Sequence, residues 1–183
     1  LKLITLSGQN AHLDAVEGRI WLRLEWRALS RALDQSGEDR KRAVSDAVAF
    51  RSARRSQFAN AAENERVEEI REGLAQYTGI VVTADSRADA VASMIEHLAS
   101  AERQETYLQQ SYATGTAYGI LLDDASLNWR RIVRSDSDLG QMLMAALDVT
   151  PVVNVVEASM RYGGREIRAE EQTREVARKP LVP

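Results

Sequence analysis

The sequence has no cysteine among its 183 residues, which excludes disulfide bonds and thiol catalysis. Aromatic residues are few, at 5%, so the core must be built mainly from Ala, Leu, Val and Ile. Only three prolines interrupt the chain, and two of them lie among the last four residues, which favours long helices. No apolar run reaches the length of about 18 residues that a membrane-spanning helix needs, so the sequence predicts no membrane span.

The overall composition is that of a soluble globular chain, with 44% hydrophobic and 28% charged residues. The formal net charge of −3 gives no sequence-wide attraction to nucleic acid, and we expect no nucleic-acid partner. The length predicts one domain over residues 1–183, with a charged peripheral tail at 165–183. The sequence does not fix the cellular compartment.

Hydrophobic periodicity predicts a mainly α, multi-helix fold with at most one or two short strands. The strongest helix pattern covers about residues 12–33, and a second covers about 39–58. The β-branched run at 152–156 is the best strand candidate, and the run at 80–83 fits a brief strand or an extended connector. Within the first helix, Glu25 stands among Trp and Leu residues, and we expect it to be buried and paired with Arg19 or Arg27, as a structural ion pair or as a carboxylate that orients a metal ligand.

A strongly acidic helix precedes Thr78 and Gly79, where a glycine stop is predicted. One face carries an apolar stripe at helical spacing: Val67, Ile70, Leu74 and Tyr77. The opposite face carries four carboxylates: Glu65, Glu68, Glu69 and Glu72. Such a face is either solvated or built to bind a cation or a partner.

A basic run precedes this helix, and its members are Arg40, Lys41, Arg42, Arg51, Arg54 and Arg55. We expect these side chains to face the acidic helix across a helical hairpin. The alternative is a phosphate-binding surface, which would require the basic face to be free of the acidic helix.

Three segments, taken together, carry a resemblance to a known family. The first, residues 12–29, contains His-Leu-Asp and Leu-Glu-Trp-Arg-Ala-Leu. The second, residues 72–77, is Glu-Gly-Leu-Ala-Gln-Tyr, and the third, residues 112–123, contains Gly-Thr-Ala-Tyr-Gly-Ile-Leu-Leu-Asp. Together they resemble a bacterial branch of the gluzincin zinc metallopeptidases and span about residues 11–123. The resemblance implies a helical C-terminal part of such a peptidase, acting on a peptide or protein substrate. An exported or periplasmic location is compatible with it.

The resemblance also implies roles for individual residues. Glu72 would be the third zinc ligand, and Tyr112 or Tyr118 would donate a hydrogen bond to the oxyanion of the tetrahedral intermediate. His12 would lie on the rim of the cleft. From the residues alone, both tyrosines also fit the core, and His12 also fits a helix cap or a surface position.

The sequence departs from the family pattern because it contains no HExxH, the motif whose two histidines lie one helical turn apart. Its only histidines, His12 and His97, have no histidine partner four residues away, and His97 fits a structural position. We therefore expect zinc as a cofactor only if an upstream segment, just before Leu1, supplies the histidine pair. The chain would then be the C-terminal portion of a larger protein and inactive without that segment. The alternative is a non-catalytic helical interaction or scaffold domain.

Overall fold

The computed structural model describes residues 10–107, 111–126 and 128–178. Within these ranges the regular structure is helical and no β-strand is formed, which confirms the predicted mainly α fold. No helix in the same ranges is both long enough and apolar enough to cross a bilayer. The apolar run at residues 1–6 and the end of the predicted tail, residues 179–183, lie outside the described residues.

The helices follow one another with short connections. After a 3-10 turn at Ala11–Asp14 they are α1 Val16–Asp34, α2 Gly37–Arg55, α3 Ala61–Glu68, a π-helical segment Glu69–Gly73, α4 Leu74–Thr83, α5 Arg87–Glu102, α6 Ser111–Ala125, α7 Trp129–Ile132, α8 Leu139–Leu147, α9 Val155–Met160 and α10 Gly164–Arg178. The first two predicted helices are confirmed, with α1 beginning four residues later than expected.

Helix α1 lies at the centre of the fold and packs against α2, α5, α6 and α10. Its apolar residues extend around most of its circumference, and Leu22, Leu24 and Leu29 are completely or almost completely buried. A helix with so wide an apolar arc needs neighbours on several sides. The remaining helices are therefore arranged around α1.

Two helices begin with a side-chain cap. The Ser86 hydroxyl accepts a hydrogen bond from the backbone N–H of Asp89 at 3.1 Å and so caps α5. The Asp138 carboxylate accepts one from the backbone N–H of Gln141 at 3.0 Å and caps α8. Each cap satisfies a backbone donor that the helix itself leaves without a partner.

Both strand candidates are wrong. Residues 80–83 form the last turn of α4, which runs through Gly79 instead of stopping there. Residues 152–156 form a bend followed by the start of α9, where the Asn154 side chain accepts from the backbone N–H of Glu157 at 3.1 Å. Because no strand exists in the described ranges to pair with them, these β-branched residues cannot form a ladder.

Helix α10 is more firmly attached than a peripheral tail would be. Its Glu171 is completely buried and lies 2.6 Å from the Nε of Arg19 and 2.8 Å from the Nη1 of Arg23, both on α1. Arg27 pairs instead with Glu102 at 2.6 Å. The arginines proposed as partners of Glu25 are thus used elsewhere, and that part of the prediction is wrong.

Candidate functional site

The acidic helix consists of α3, the π-helical segment and α4, which follow one another without a break. It is wound so that two rows of side chains recur every four residues. Glu65, Glu69, Gly73 and Tyr77 are buried, and the next row, Glu68, Glu72 and Gln76, is half-buried or exposed. A regular α-helix has 3.6 residues per turn, so a four-residue row would drift by roughly 40° at each step. The π-helical segment Glu69–Gly73 has a wider turn and reduces this drift. The helix therefore keeps one row in the core and the adjacent row at the surface.

A glycine contact holds the π-helical segment against α6. A Cβ added to Gly73 would lie 2.9 Å from the backbone oxygen of Tyr112 and 3.0 Å from the Cα of Gly115. A Cβ added to Gly115 would lie 2.7 Å from the backbone oxygen of Glu69. The glycines thus allow the two backbones to approach more closely than any side chain would permit.

The inward carboxylates of this helix are ion-paired and not solvated. Glu65 lies 2.7 Å from the Nε of both Arg54 and Arg55, and Glu69 pairs with Arg51. These contacts confirm that this part of the basic run faces the acidic helix. They also show that a solvated acidic face is wrong for Glu65 and Glu69, because the arginines of α2 allow both to be buried.

The buried charges have perturbed pKa values. Burial opposes ionisation of Glu65, but the charges of Arg54 and Arg55 outweigh it and hold the pKa of that carboxyl well below its usual range. For Glu69, burial has the larger effect, and its pKa is raised in spite of Arg51. Glu65 is therefore held ionised at neutral pH.

Glu25 of α1 belongs to the same buried network. Its carboxylate lies 2.7 Å from the Nη1 of Arg54, 3.4 Å from the Nη1 of Arg51, and accepts a hydrogen bond from the Tyr118 hydroxyl at 3.0 Å. Glu25 is buried and paired, as predicted, although its partners come from α2 and α6.

Two of the residues implied by the resemblance are located in this core. Tyr118 is fully buried, and burial together with the Glu25 charge raises its pKa well above the ordinary value. His12 is also buried; its Nε2 lies 2.7 Å from Glu65, and its ring packs against Phe58 with centroids 5.7 Å apart. Both side chains therefore support the buried network and do not line the groove described next.

The outward row of the acidic helix borders a groove of about 550 Å³ between this helix and α6. Its lining residues are Glu68, Glu72, Ala75, Gln76 and Tyr112. Glu72 is exposed and makes no hydrogen bond or ion pair within the described residues. Of the four residues to which the resemblance gives roles, the structure brings together Glu72 and Tyr112 in this groove.

Glu68 lies one turn before Glu72 in the same groove. The side-chain amide of Asn10 donates a hydrogen bond to it. Burial and the neighbouring carboxylates of Glu69, Glu72 and Glu65 raise the pKa of Glu68 to about 7. The groove therefore contains one exposed carboxylate and one whose pKa is raised by burial and by its acidic neighbours.

A polar chain leads from the groove wall and includes two residues to which the sequence gave no role in the site, Gln76 and His97. The Oε1 of Gln76 lies 2.9 Å from the Thr116 hydroxyl, and its Nε2 lies 3.1 Å from the Nε2 of His97. Burial lowers the pKa of His97, so the neutral ring can accept from the Gln76 amide. The His97 ring lies 6.1 Å from the Tyr112 ring, centroid to centroid. In the sequence, the four-residue spacing of Gln76 from Glu72 could have indicated that both side chains lie on the same face of the helix.

The ligand set of a complete metal site is not formed by these residues alone. Within the described ranges no three His, Asp or Glu side chains are grouped so as to hold a metal ion. Glu72 fits a zinc site as one carboxylate ligand, because it is accessible and its charge is not used by a neighbour.

Comparison of the chain with protein-family models, with curated proteins and with solved structures gives no match. The chemistry of the groove is therefore inferred from its own residues.

Proposed function

We propose that this chain is the distal helical part of a zinc-dependent metallopeptidase-like protein, with Glu72 as the third zinc ligand. The two histidine ligands would come from an HExxH helix upstream of Leu1, and the chain is inactive without them. The observation that supports this proposal is the exposed Glu72 carboxylate, which lies beside Tyr112 in a groove while Glu65 and Glu69 of the same helix are neutralised by arginines.

The buried network explains how Glu72 would be held in position. Glu65 and Glu69 attach the acidic helix to α2, and Gly73 packs it against the backbone of α6. These contacts restrain the helix on two sides of the turn that contains Glu72. A ligand positioned in advance loses little conformational freedom when it binds.

The remaining groove residues have roles that follow from their chemistry. A bound zinc ion would lower the pKa of its water to about 7 and polarise a peptide carbonyl. Tyr112 would donate a hydrogen bond to the oxygen on which negative charge develops. The peptide or protein substrate would lie along the groove between the acidic helix and α6.

The alternative is a non-catalytic helical interaction or scaffold domain. It is favoured because no three His, Asp or Glu side chains in the described residues are grouped to hold a metal ion, and because the apolar side chains Val153 and Val156 are exposed. In that case the groove would keep its shape but would have no affinity for zinc.

Calorimetric titration with zinc distinguishes the two functions. The chain of 183 residues and a longer protein that carries the proposed upstream HExxH segment are titrated in parallel, each as wild type, Glu72→Gln and Glu63→Gln. Glu63 is the matched control, because it is an exposed glutamate of α3 without a hydrogen bond or ion pair in the described residues.

We expect one zinc per molecule of the longer wild-type protein and much weaker binding by the chain alone. Glu72→Gln should weaken binding at least tenfold, since it removes a ligand, and Glu63→Gln should leave it unchanged. Unchanged affinity in Glu72→Gln, or equally tight binding by both chain lengths, would reject the proposed site.

A further inference from the structure

An apolar face without a partner lies on α9 and on the bend that precedes it. Three large apolar side chains within eight residues are exposed there, with Val153 99%, Val156 67% and Met160 44% accessible. Elsewhere in the described ranges, exposed large apolar side chains occur singly or, at Val81 and Val82, as one pair. Apolar surface concentrated in this way is stabilised when a partner removes it from water. We call the surface formed by Val153, Val156 and Met160 the α9 face.

A groove of about 480 Å³ lies next to the α9 face, between α1, α9 and α10. Its apolar walls include Leu24 of α1 and Val156 and Met160 of α9. Val153 is not part of these walls, but the residue that follows it, Asn154, is. Val153 therefore projects into solvent beside one end of the groove. A small molecule inside the groove would leave Val153 in water, whereas a protein surface can cover both.

The groove has one charge of each sign without an ion pair. The Glu157 carboxylate accepts a hydrogen bond from the side-chain amide of Asn154 at 3.2 Å but has no cationic partner among the described residues. Arg165 is exposed and makes no ion pair or hydrogen bond in the described part of the chain. The third charged residue of the groove, Arg168, is paired with Glu17. A ligand or partner of one sign would match one of the two free charges and be opposed by the other.

A second copy of the same chain matches both charges at once. In a two-fold symmetric interface both subunits use the same surface patch, so each contact between two different residues occurs twice. Glu157 of each copy can therefore face Arg165 of the other, while the apolar side chains meet near the axis. Each copy also offers both a projecting Val153 and a groove beside it. The α9 face is thus complementary to itself.

We propose that the α9 face and its groove form the interface of a symmetric homodimer. Val153 of each copy enters the groove of the other, and Glu157 of each copy pairs with Arg165 of the other. The interface is independent of the proposed zinc chemistry, because no residue of this groove lines the groove of Glu72.

Sedimentation equilibrium over a dilution series tests the proposal. The chain of 183 residues is compared with Val153→Asp and with Val82→Asp, the matched control, which places the same charge at an exposed valine of α4. We expect the wild type and Val82→Asp to pass from monomer to dimer with equal dissociation constants as the concentration rises. Val153→Asp should weaken the dimer at least tenfold, because it would carry a carboxylate into an apolar groove.

Two results of this series would overturn the proposal. The first is a wild type that stays monomeric at every concentration up to its solubility limit, as it would if the α9 face bound a different protein or a small molecule. The second is a dimer that Val153→Asp leaves unchanged, because the contact would then lie on another surface.

Charge reversal tests the pairing across the two-fold axis. Glu157→Arg and Arg165→Glu should each weaken self-association at least tenfold, since each homodimer would bring like charges together twice. An equimolar mixture of the two variants should associate as tightly as the wild type, because one copy then carries two arginines at these positions and the other two glutamates. Both positions are exposed, so circular dichroism should show wild-type helix content in each variant. A mixture that associates no better than the separate folded variants would overturn the pairing.

Discussion

Substitution of Gly115 by alanine tests the close contact that positions the acidic helix. The new Cβ would lie 2.7 Å from the backbone oxygen of Glu69 and 2.9 Å from its Cα. These atoms belong to the backbone and cannot move aside by a rotamer change. Overpacking of this kind costs ~1–3 kcal/mol, and the rigid neighbour places Gly115→Ala at the upper end of that range. Because alanine is favoured over glycine in a helix by ~1 kcal/mol, we expect a net loss of about 2 kcal/mol.

Gly79 is the matched control for this substitution. It also lies inside a helix, and a Cβ added there meets no atom within 4 Å. Gly79→Ala should therefore increase the free energy of unfolding by ~0.5–1 kcal/mol. Urea unfolding followed by circular dichroism at constant pH measures both variants. Equal stabilisation by the two alanines would refute the close approach of the π-helical segment to α6.

Three further predictions concern the buried network and the groove. Arg54→Met should lower the free energy of unfolding by ~3–5 kcal/mol, because it leaves buried carboxylates without their cation. Arg42→Met removes an exposed ion pair and should change the free energy of unfolding by less than about 1 kcal/mol. Similar losses of stability for the two variants in urea unfolding would contradict the buried pairing. The pKa of Glu68 is about 7 in the folded state and near 4.3 when unfolded, so the folded state binds the extra proton between these values and gains stability as the pH falls from about 7 to 4.5. Glu68→Gln should thus be more stable than the wild type at pH 8, with the difference shrinking on acidification, and a difference independent of pH would contradict the raised pKa. Under the proposed peptidase function, Tyr112→Phe in the longer, zinc-loaded protein should lower kcat for peptide hydrolysis about 10²-fold or more with little change in zinc affinity, and an unchanged kcat would remove Tyr112 from the reaction.

The helical fold could be predicted from the sequence because its signals are local. The apolar spacing in α1 and the capping side chains Ser86 and Asp138 each act within a few residues of their own position. The β-branched segments at 80–83 and 152–156 were assigned wrongly because a strand also needs a partner, and partners are a property of the whole fold.

The site could be predicted only in part, for a similar reason. The spacing of the acidic helix showed that Glu65 and Glu69 are close to Glu72, but not that arginines of α2 would neutralise the first two and leave the third exposed. The partners of Glu25 were wrong because the choice among arginines depends on which helices meet. Regular 3.6-residue periodicity also gave no indication of the π-helical winding that separates the buried row from the exposed row.

The measurement that tests the proposed function most directly is anomalous diffraction at the zinc edge from crystals of a longer protein that carries the proposed upstream HExxH segment. We expect one strong anomalous peak in the groove at about 2.0–2.2 Å from a carboxylate oxygen of Glu72, with two histidine nitrogens at about 2.0–2.1 Å. A zinc site whose ligands do not include Glu72, or a groove without zinc at saturating metal, would contradict the account.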